Sequence, residues 1–242
     1  MNLIIDAGNT RIKAAIFNGL ELIHNEVFMV DNFVQECVKL INYFKCKQAI
    51  ISSVGSVKKD EIAIIKGHIQ LIELNSSTKI PFENDYSTPN TLGVDRIGLV
   101  AGAVSMFPNK NVLIIDAGTC ITYDFVDSNS HYKGGSISPG IQIRYRSLPQ
   151  FTKNLPLLHP NFDVTLIGYS TETCIHSGII NGVLGEVDSI IEKYKIKNED
   201  LTVVLTGGDV NFLSNKLKNS IFANPNFLLE GLNHILTYNL SK

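Results

Sequence analysis

Ile4-Ile5-Asp6-Ala7-Gly8-Asn9-Thr10 stands at the start of the chain, and Ile114-Ile115-Asp116-Ala117-Gly118-Thr119-Cys120 repeats its first part half a chain later. Each copy ends an apolar run, passes through hydroxyl or amide residues and enters a second strand-like segment, Ile12 to Phe17 in one and Ile121 to Val126 in the other. An apolar run that stops at Asp and Gly and then restarts is the pattern of a strand, a tight turn and a return strand. Its recurrence at the same place in each half points to a duplicated unit. Pro108-Asn109 marks the boundary, which gives expected domains of residues 1–109 and 110–242.

Between the hairpins, helical and strand patterns alternate. Phe33, Val34, Cys37, Val38, Leu40, Ile41 and Phe44 recur at helical spacing, with Asp31 or Asn32 as N-cap. Ala49 to Val54 and Ile69 to Leu74 read as strands flanking a helix over Lys58 to Lys66. Gly93 to Phe107 reads as a helix rich in small residues and stopped by Pro108. Thr171 to Tyr194 reads as a long helix whose Gly178, Gly182 and Gly185 serve close packing. Val203 to Leu205 reads as a short strand, and Glu230 to Leu240 as a terminal helix. Hairpins followed by alternating helices and strands imply mixed α/β halves.

Composition narrows the class. The 242 residues are 44% hydrophobic and 18% charged, enough apolar material for a real core and far from a disordered chain. Lys and Arg number 21 against 23 Asp and Glu, a net charge of −2 with no charge block, which offers no basic surface for nucleic acid or an anionic membrane. No apolar stretch reaches the roughly 20 residues of a membrane helix. The N-terminus has no basic segment before its apolar run, so no signal peptide is expected. Cys37, Cys46, Cys120 and Cys174 show no C-x-x-C spacing and read as reduced thiols of a cytoplasmic protein.

Chemistry is concentrated in a few segments. A Gly after a strand lets a phosphate approach backbone N–H groups. Thr10 and Thr119 add hydroxyl donors, Lys13 adds a positive charge, and the strand-end Asp6 and Asp116 can hold a metal ion or its waters. One such turn is explained by hairpin chemistry alone; two at matching places favour a phosphate clamp. Neither the G-x-x-x-x-G-K-[ST] nor the G-x-G-x-x-G pattern is present. In Tyr86-Ser87-Thr88-Pro89-Asn90-Thr91-Leu92-Gly93-Val94-Asp95-Arg96, an Asp and an Arg open a helix behind a Gly. The carboxylate can take a proton from a hydroxyl nucleophile and the Arg can bind an anion; helix capping with Arg96 in solvent explains the same residues. Lys133-Gly134-Gly135-Ser136-Ile137-Ser138-Pro139-Gly140 reads as a constrained loop, and Thr206-Gly207-Gly208-Asp209 as a strand-end turn where a flat ring could lie. The six histidines show no metal-ligand spacing.

Taken in order, these segments resemble the type III pantothenate kinases, within the actin, Hsp70 and sugar-kinase superfamily. The family's D-x-G-N-[TS], Y-x-x-P-x-x-L-G-x-D-R, D-x-G-T-[AC]-x-T-x-D, G-G-x-I-x-P-G and T-G-G-D patterns are matched by Asp6 to Thr10, Tyr86 to Arg96, Asp116 to Asp124, Gly134 to Gly140 and Thr206 to Asp209. Cys120 and Cys174 stand where a small residue such as Ala is expected. The resemblance implies two similar RNase H-like (actin-like ATPase) domains with a nucleotide cleft between them. It also implies ATP-dependent phosphorylation of pantothenate with Mg²⁺ and a monovalent cation, K⁺ or NH₄⁺, in a homodimer. Asp95 would then be the general base and Asp6 would orient Mg²⁺-bound water. Asp6, Ala7, Gly8, Asn9, Thr10, Arg11, Ile12, Lys13 and Thr119 would hold ATP, with Gly207 and Gly208 near its adenine. Asp116 would ligate the monovalent cation, and Tyr86, Gly93, Val94, Asp95, Arg96 and Thr171 would line the pantothenate pocket. Two rivals are a sugar kinase, which should lack the Tyr86 to Arg96 pattern, and a non-catalytic accessory protein, against which the intact Asp6, Asp95 and Asp116 argue.

Overall fold

A computed structural model describes residues 1–240. In chain order the strands are β1 (Asn2–Ala7), β2 (Arg11–Asn18), β3 (Glu21–Met29), β4 (Gln48–Ser53), β5 (Gln70–Glu73), β6 (Glu83–Asn84), β7 (Asn111–Ala117), β8 (Cys120–Val126), β9 (His131–Pro139), β10 (Leu201–Thr206) and β11 (Phe222–Ala223). The helices are α1 (Phe33–Phe44), α2 (Lys59–His68), α3 (Val94–Met106), α4 (Ile141–Phe151), α5 (Thr171–Lys197), α6 (Val210–Ser214) and α7 (Phe227–Leu240).

The chain forms two units, one built from residues 1–108, 130–132 and the C-terminal segment from Asn226, the other from Asn109–Asn129 and Lys133–Pro225. The expected division at residue 109 is corrected in one respect: α7 packs on the first unit, against α3, β1 and β4, although it ends the second half of the sequence. Its Leu229, Leu232, Ile235 and Leu236 are buried, which is the physical reason for its recruitment.

In the first unit the sheet runs β3-β2-β1-β4-β5; in the second, β9-β8-β7-β10-β11 appear in the same order of succession. Strands β1 and β2 are antiparallel while β1 and β4 are parallel, and β7 with β8 and with β10 repeats that pattern. The central strands carry apolar residues on both faces, as covered strands must. Leu3, Ile5, Ala7, Ile12 and Ile51 pack with Phe33, Cys37, Leu40 and Ile41 of α1 and with Ile62 and Ile65 of α2. In the second unit Leu113, Ile115, Ile121 and Tyr123 pack with Ile179, Ile180, Val183 and Val187 of α5.

Local signals account for the helix ends. Asn32 is the residue before α1 but its side chain makes no cap bond; a single 3-10 turn, Val30–Asn32, leads in instead, and Lys45 ends the helix at φ 54°. At α5 the Ser170 hydroxyl accepts a hydrogen bond from Thr173 N (3.2 Å). Two expectations fail. Lys133 to Gly140 is no loop: residues 131–139 form β9, and Gly135 is required because a Cβ there would lie 1.6 Å from the Tyr123 carbonyl oxygen. Gly178, Gly182 and Gly185 meet nothing within 4 Å, so they pack against no part of this chain. Close packing falls instead to Gly98, Gly102 and Gly231 where α3 crosses α7.

Candidate active site

In the first unit β1 delivers Asp6 to its C-terminal end, and register sets its neighbours. Asp6 pairs with Lys13 on β2 and with Ser52 on β4, so Lys13, Asp6 and Ser52 form a row across the sheet. The alternate residues Ile5, Ile12 and Ile51 face α1 and α2, which places the row on the opposite face. The turn that follows is closed by Gly8 N donating to Arg11 O (3.1 Å), with Asn9, Thr10 and Arg11 exposed between buried Ala7 and Ile12. The exposed Asn9-Thr10 part of the turn, with the Thr10 hydroxyl, can thus face an anion.

Helix α3 brings Asp95 to the same place. Gly93 caps the helix, Val94 opens it and Asp95 sits in the first turn, where a negative charge complements the helix dipole. The Asp95 Oδ1 accepts a hydrogen bond from Arg96 N (2.8 Å) and lies where a Gly93 Cβ would be, at 2.4 Å, which explains the Gly two positions before the Asp. Burial pushes the Asp6 carboxyl up from 3.8 to about 6; Lys13 pulls it down and the nearby Asp95 charge pushes it up again.

Asp6 is raised in the folded chain, so the stability linked to its protonation is complete below about pH 4 and is lost as pH rises through about 6. Above pH 6 the ionised carboxylate costs about 3 kcal/mol. Asp6→Asn is therefore expected to raise the unfolding midpoint at pH 8 and to leave it unchanged at pH 4, measured by thermal denaturation without ligand. An equal effect at both pH values would mean the carboxylate is not desolvated.

Arg96 is buried at 5% exposure, which excludes the solvent-facing alternative. Its guanidinium lies 5.6 Å from the Tyr86 ring centre and 6.0 Å from that of Tyr132, and the two rings stack at 6.0 Å. Tyr132 gave no sequence signal: it is a lone aromatic, brought beside Tyr86 because Glu83 and Asn84 pair with His131 and Tyr132. Ser52 was also missed. Its side-chain oxygen is buried and makes no hydrogen bond, an arrangement that costs about 1–3 kcal/mol.

In the second unit Asp116 is the last residue but one of β7 and pairs with Thr122 on β8 and Thr206 on β10. Gly118 N donates to Cys120 O (2.9 Å), leaving Thr119 exposed at the turn. Gly207, at φ 97°, packs so closely that a Cβ would lie 2.4 Å from Asp116 Oδ1, and Asp209 N donates to Ala117 O (3.0 Å). The second turn and the T-G-G-D turn thus meet at Asp116. Gly140 N donates to Thr119 O (3.1 Å), tying the end of β9 to the same turn. Arg144 holds that strand end through Pro139 O (2.8 Å) and Ser138 Oγ (3.0 Å) and pairs with Glu186. Burial alone would raise the Glu186 carboxyl; hydrogen bonds from Arg144, Ser138 and Tyr123 bring it below its ordinary value instead. Thr171 opens α5, exposed, and lines a depression together with Leu148, Leu155, Cys174 and Ile175.

Among the described residues no three His, Cys, Asp or Glu cluster to hold a metal ion unaided. Magnesium does not need such a cage, since it keeps several waters and takes one or two carboxylates plus phosphate oxygens. Asp6, with Asp95 near it and an orphaned Ser52 hydroxyl beside it, fits that demand.

The family described as type III pantothenate kinase matches residues 2–193. A type III pantothenate kinase of Christiangramia forsetii is 51% identical over 240 residues, covering 99% of each chain. Among solved structures, a protein of Campylobacter jejuni described as a Baf family transcriptional activator superposes with a TM-score of 0.66 at 22% identity, over 99% of this chain and 100% of that one. The inorganic polyphosphate/ATP-glucomannokinase of Arthrobacter sp. strain KM superposes with a TM-score of 0.53 at 10% identity, over 99% and 100%. At such identities the two structures speak for the fold: two similar α/β domains of the actin-like and sugar-kinase type.

Proposed function

We infer the working of this site from one premise: the chain belongs to the type III pantothenate kinase family. It is a kinase that phosphorylates pantothenate, the first step of coenzyme A biosynthesis, using ATP with a divalent metal. The observation that carries the assignment of residues is the meeting of Asp6, Lys13 and Asp95 at one strand end and one helix start.

Phosphoryl transfer asks the protein mainly for positioning and charge compensation. Asp95 takes the proton of the attacking primary hydroxyl. The turn from Asp6 to Lys13, with Thr119, holds the phosphates of ATP through backbone N–H groups, hydroxyls and the Lys13 ammonium. When bound, Mg²⁺ neutralises charge on the phosphates; Asp6 holds its water. Tyr86, the Gly93 to Arg96 segment and Thr171 hold pantothenate, and the buried Arg96, beside the stacked Tyr86 and Tyr132 rings, supplies a fixed positive charge for an anionic substrate. Gly207 and Gly208 lie against the adenine.

Asp116 is assigned to a monovalent cation. The support is its carboxylate beside the Gly207 turn, a cluster of oxygen donors with no basic residue at the position that Lys13 fills in the first hairpin. Replacing K⁺ by Na⁺ is expected to slow ADP release in a coupled assay with pantothenate, and Asp116→Asn is expected to erase the difference. Equal rates in the two salts would leave Asp116 to the turn or to magnesium.

The homodimer is supported by the second unit's surface. Phe151, Leu157, Leu166, Ile167 and Tyr169 are exposed, and Gly178, Gly182 and Gly185 leave one exposed face of α5 without side chains. A cytoplasmic location is supported by four thiols that form no disulfide. No described helix is long and apolar enough to cross a membrane.

A further inference from the structure

We propose that Ser52 is a positioning residue of the Mg²⁺·ATP site: its hydroxyl and the Asp6 carboxylate together hold a water of the bound cation. The inference rests on the kinase reading above and adds a residue that none of the sequence patterns contains.

Three observations carry it. First, Ser52 is 1% exposed and its side-chain oxygen is buried without a hydrogen-bond partner. Buried hydroxyls are satisfied in folded proteins as a rule, and exceptions call for a reason. Second, Ser52 is in register with Asp6 across the parallel β1–β4 pair, on adjacent strands about 4.8 Å apart, so that both side chains project from the same face. Third, the row lies at the C-terminal ends of both strands, where open α/β sheets place their ligands, and Asp95 is close enough for its charge to act on Asp6.

A structural purpose does not account for the hydroxyl. The two residues before it, Ile50 and Ile51, are apolar and fully covered, and an alanine would fill the same backbone position without stranding a polar atom. Near the site the hydroxyl has a use. Magnesium-bound water donates two hydrogen bonds; Asp6 accepts one, and the Ser52 oxygen, with no competing donor, accepts the other. The first unit thus stores an unsatisfied group that only the loaded site relieves.

The second hairpin carries a related feature. Thr122, in register with Asp116, also has a buried side-chain oxygen without a partner. Each strand-end Asp therefore has a hydroxyl waiting on a neighbouring strand, from opposite sides of the carboxylate strand.

The test uses the full chain with Ser52→Ala. Without nucleotide its unfolding midpoint is expected to equal or exceed that of the wild type. Calorimetric binding of a non-hydrolysable ATP analogue with Mg²⁺ is expected to weaken about tenfold, the loss of one hydrogen bond in a charged network, while binding of the same analogue in EDTA stays unchanged. The Mg²⁺ concentration for half-maximal rate should rise in parallel, and Ser52→Thr, which keeps the hydroxyl, should retain most of the metal-dependent affinity. A midpoint several degrees lower in Ser52→Ala, equal weakening with and without Mg²⁺, or affinity within twofold of wild type would each overturn the role of Ser52. Wild-type protein that binds no nucleotide in either condition would instead overturn the kinase reading of the site.

Discussion

Asp95→Asn is expected to abolish turnover while leaving the protein folded. The substitution keeps shape and volume, and the amide oxygen can still accept the hydrogen bond from Arg96 N that the carboxylate now receives at 2.8 Å. The helix start and the Gly93 contact beneath it are preserved. What disappears is basicity: an amide cannot take the hydroxyl proton as the phosphoryl group is transferred. Loss of a general base costs about 10²–10⁴-fold. The measurement is ADP release with pantothenate, alongside circular dichroism and nucleotide affinity, both of which should be unchanged. A variant that keeps more than about a tenth of the wild-type rate would remove Asp95 from the role, because positioning alone would then suffice.

Gly231→Ala is expected to be strongly destabilising although it lies away from the site. Helix α7 crosses α3 so closely that a Cβ at Gly231 would lie 1.9 Å from the Gly98 carbonyl oxygen and 2.8 Å from Gly102 N. Both are backbone atoms of a helix and cannot rotate away, unlike the Leu228 and Leu232 tips that face Gly98. Alanine improves helix propensity by about 1 kcal/mol, but prising the helices apart costs about 3 kcal/mol or more. The clash therefore wins, and the unfolding midpoint should fall by roughly 4–8 °C, the scale for a net 2 kcal/mol in a chain of this size. Gly67→Ala in α2 is the control, since nothing lies within 4 Å of its Cβ and the same substitution should be neutral or stabilising. Equal outcomes at the two positions would contradict the crossing. Because α3 carries Asp95 on its first turn, separation of the helices should lower activity as well as stability.

The features that were legible along the chain share a physical origin. A strand ending in Asp-Ala-Gly and turning back is written in contiguous residues, and so is the 3.6-residue periodicity of Phe33, Cys37, Leu40 and Ile41. The failures are also of one kind. The Gly-rich segment from Lys133 reads locally as a loop, yet it is β9, because its glycines answer to the Tyr123 backbone on the neighbouring strand. Strand β3 escaped notice because it alternates half-buried and exposed residues, Glu21 to Met29, with no apolar run. The glycines of α5 were read as packing residues because local pattern cannot tell an empty face from a crowded one, whereas the crowded crossing belongs to Gly98, Gly102 and Gly231.

By itself the sequence determined the two duplicated hairpins, the strand-end carboxylates Asp6 and Asp116, the helix-start pair Asp95 and Arg96 and, through their order along the chain, the family. Turns, caps and amphipathic periods depend on neighbours a few residues away, so one strand of letters is enough to specify them. Tertiary structure alone decided that α7 belongs with the first unit, that Tyr132 stacks beside Tyr86 and Arg96, and that an unpartnered Ser52 stands next to Asp6. Each of these is set by lateral register or helix packing between segments tens of residues or more apart, where the hydrogen-bond ladder and the burial of apolar faces choose the neighbour, and no local pattern of residues encodes that choice.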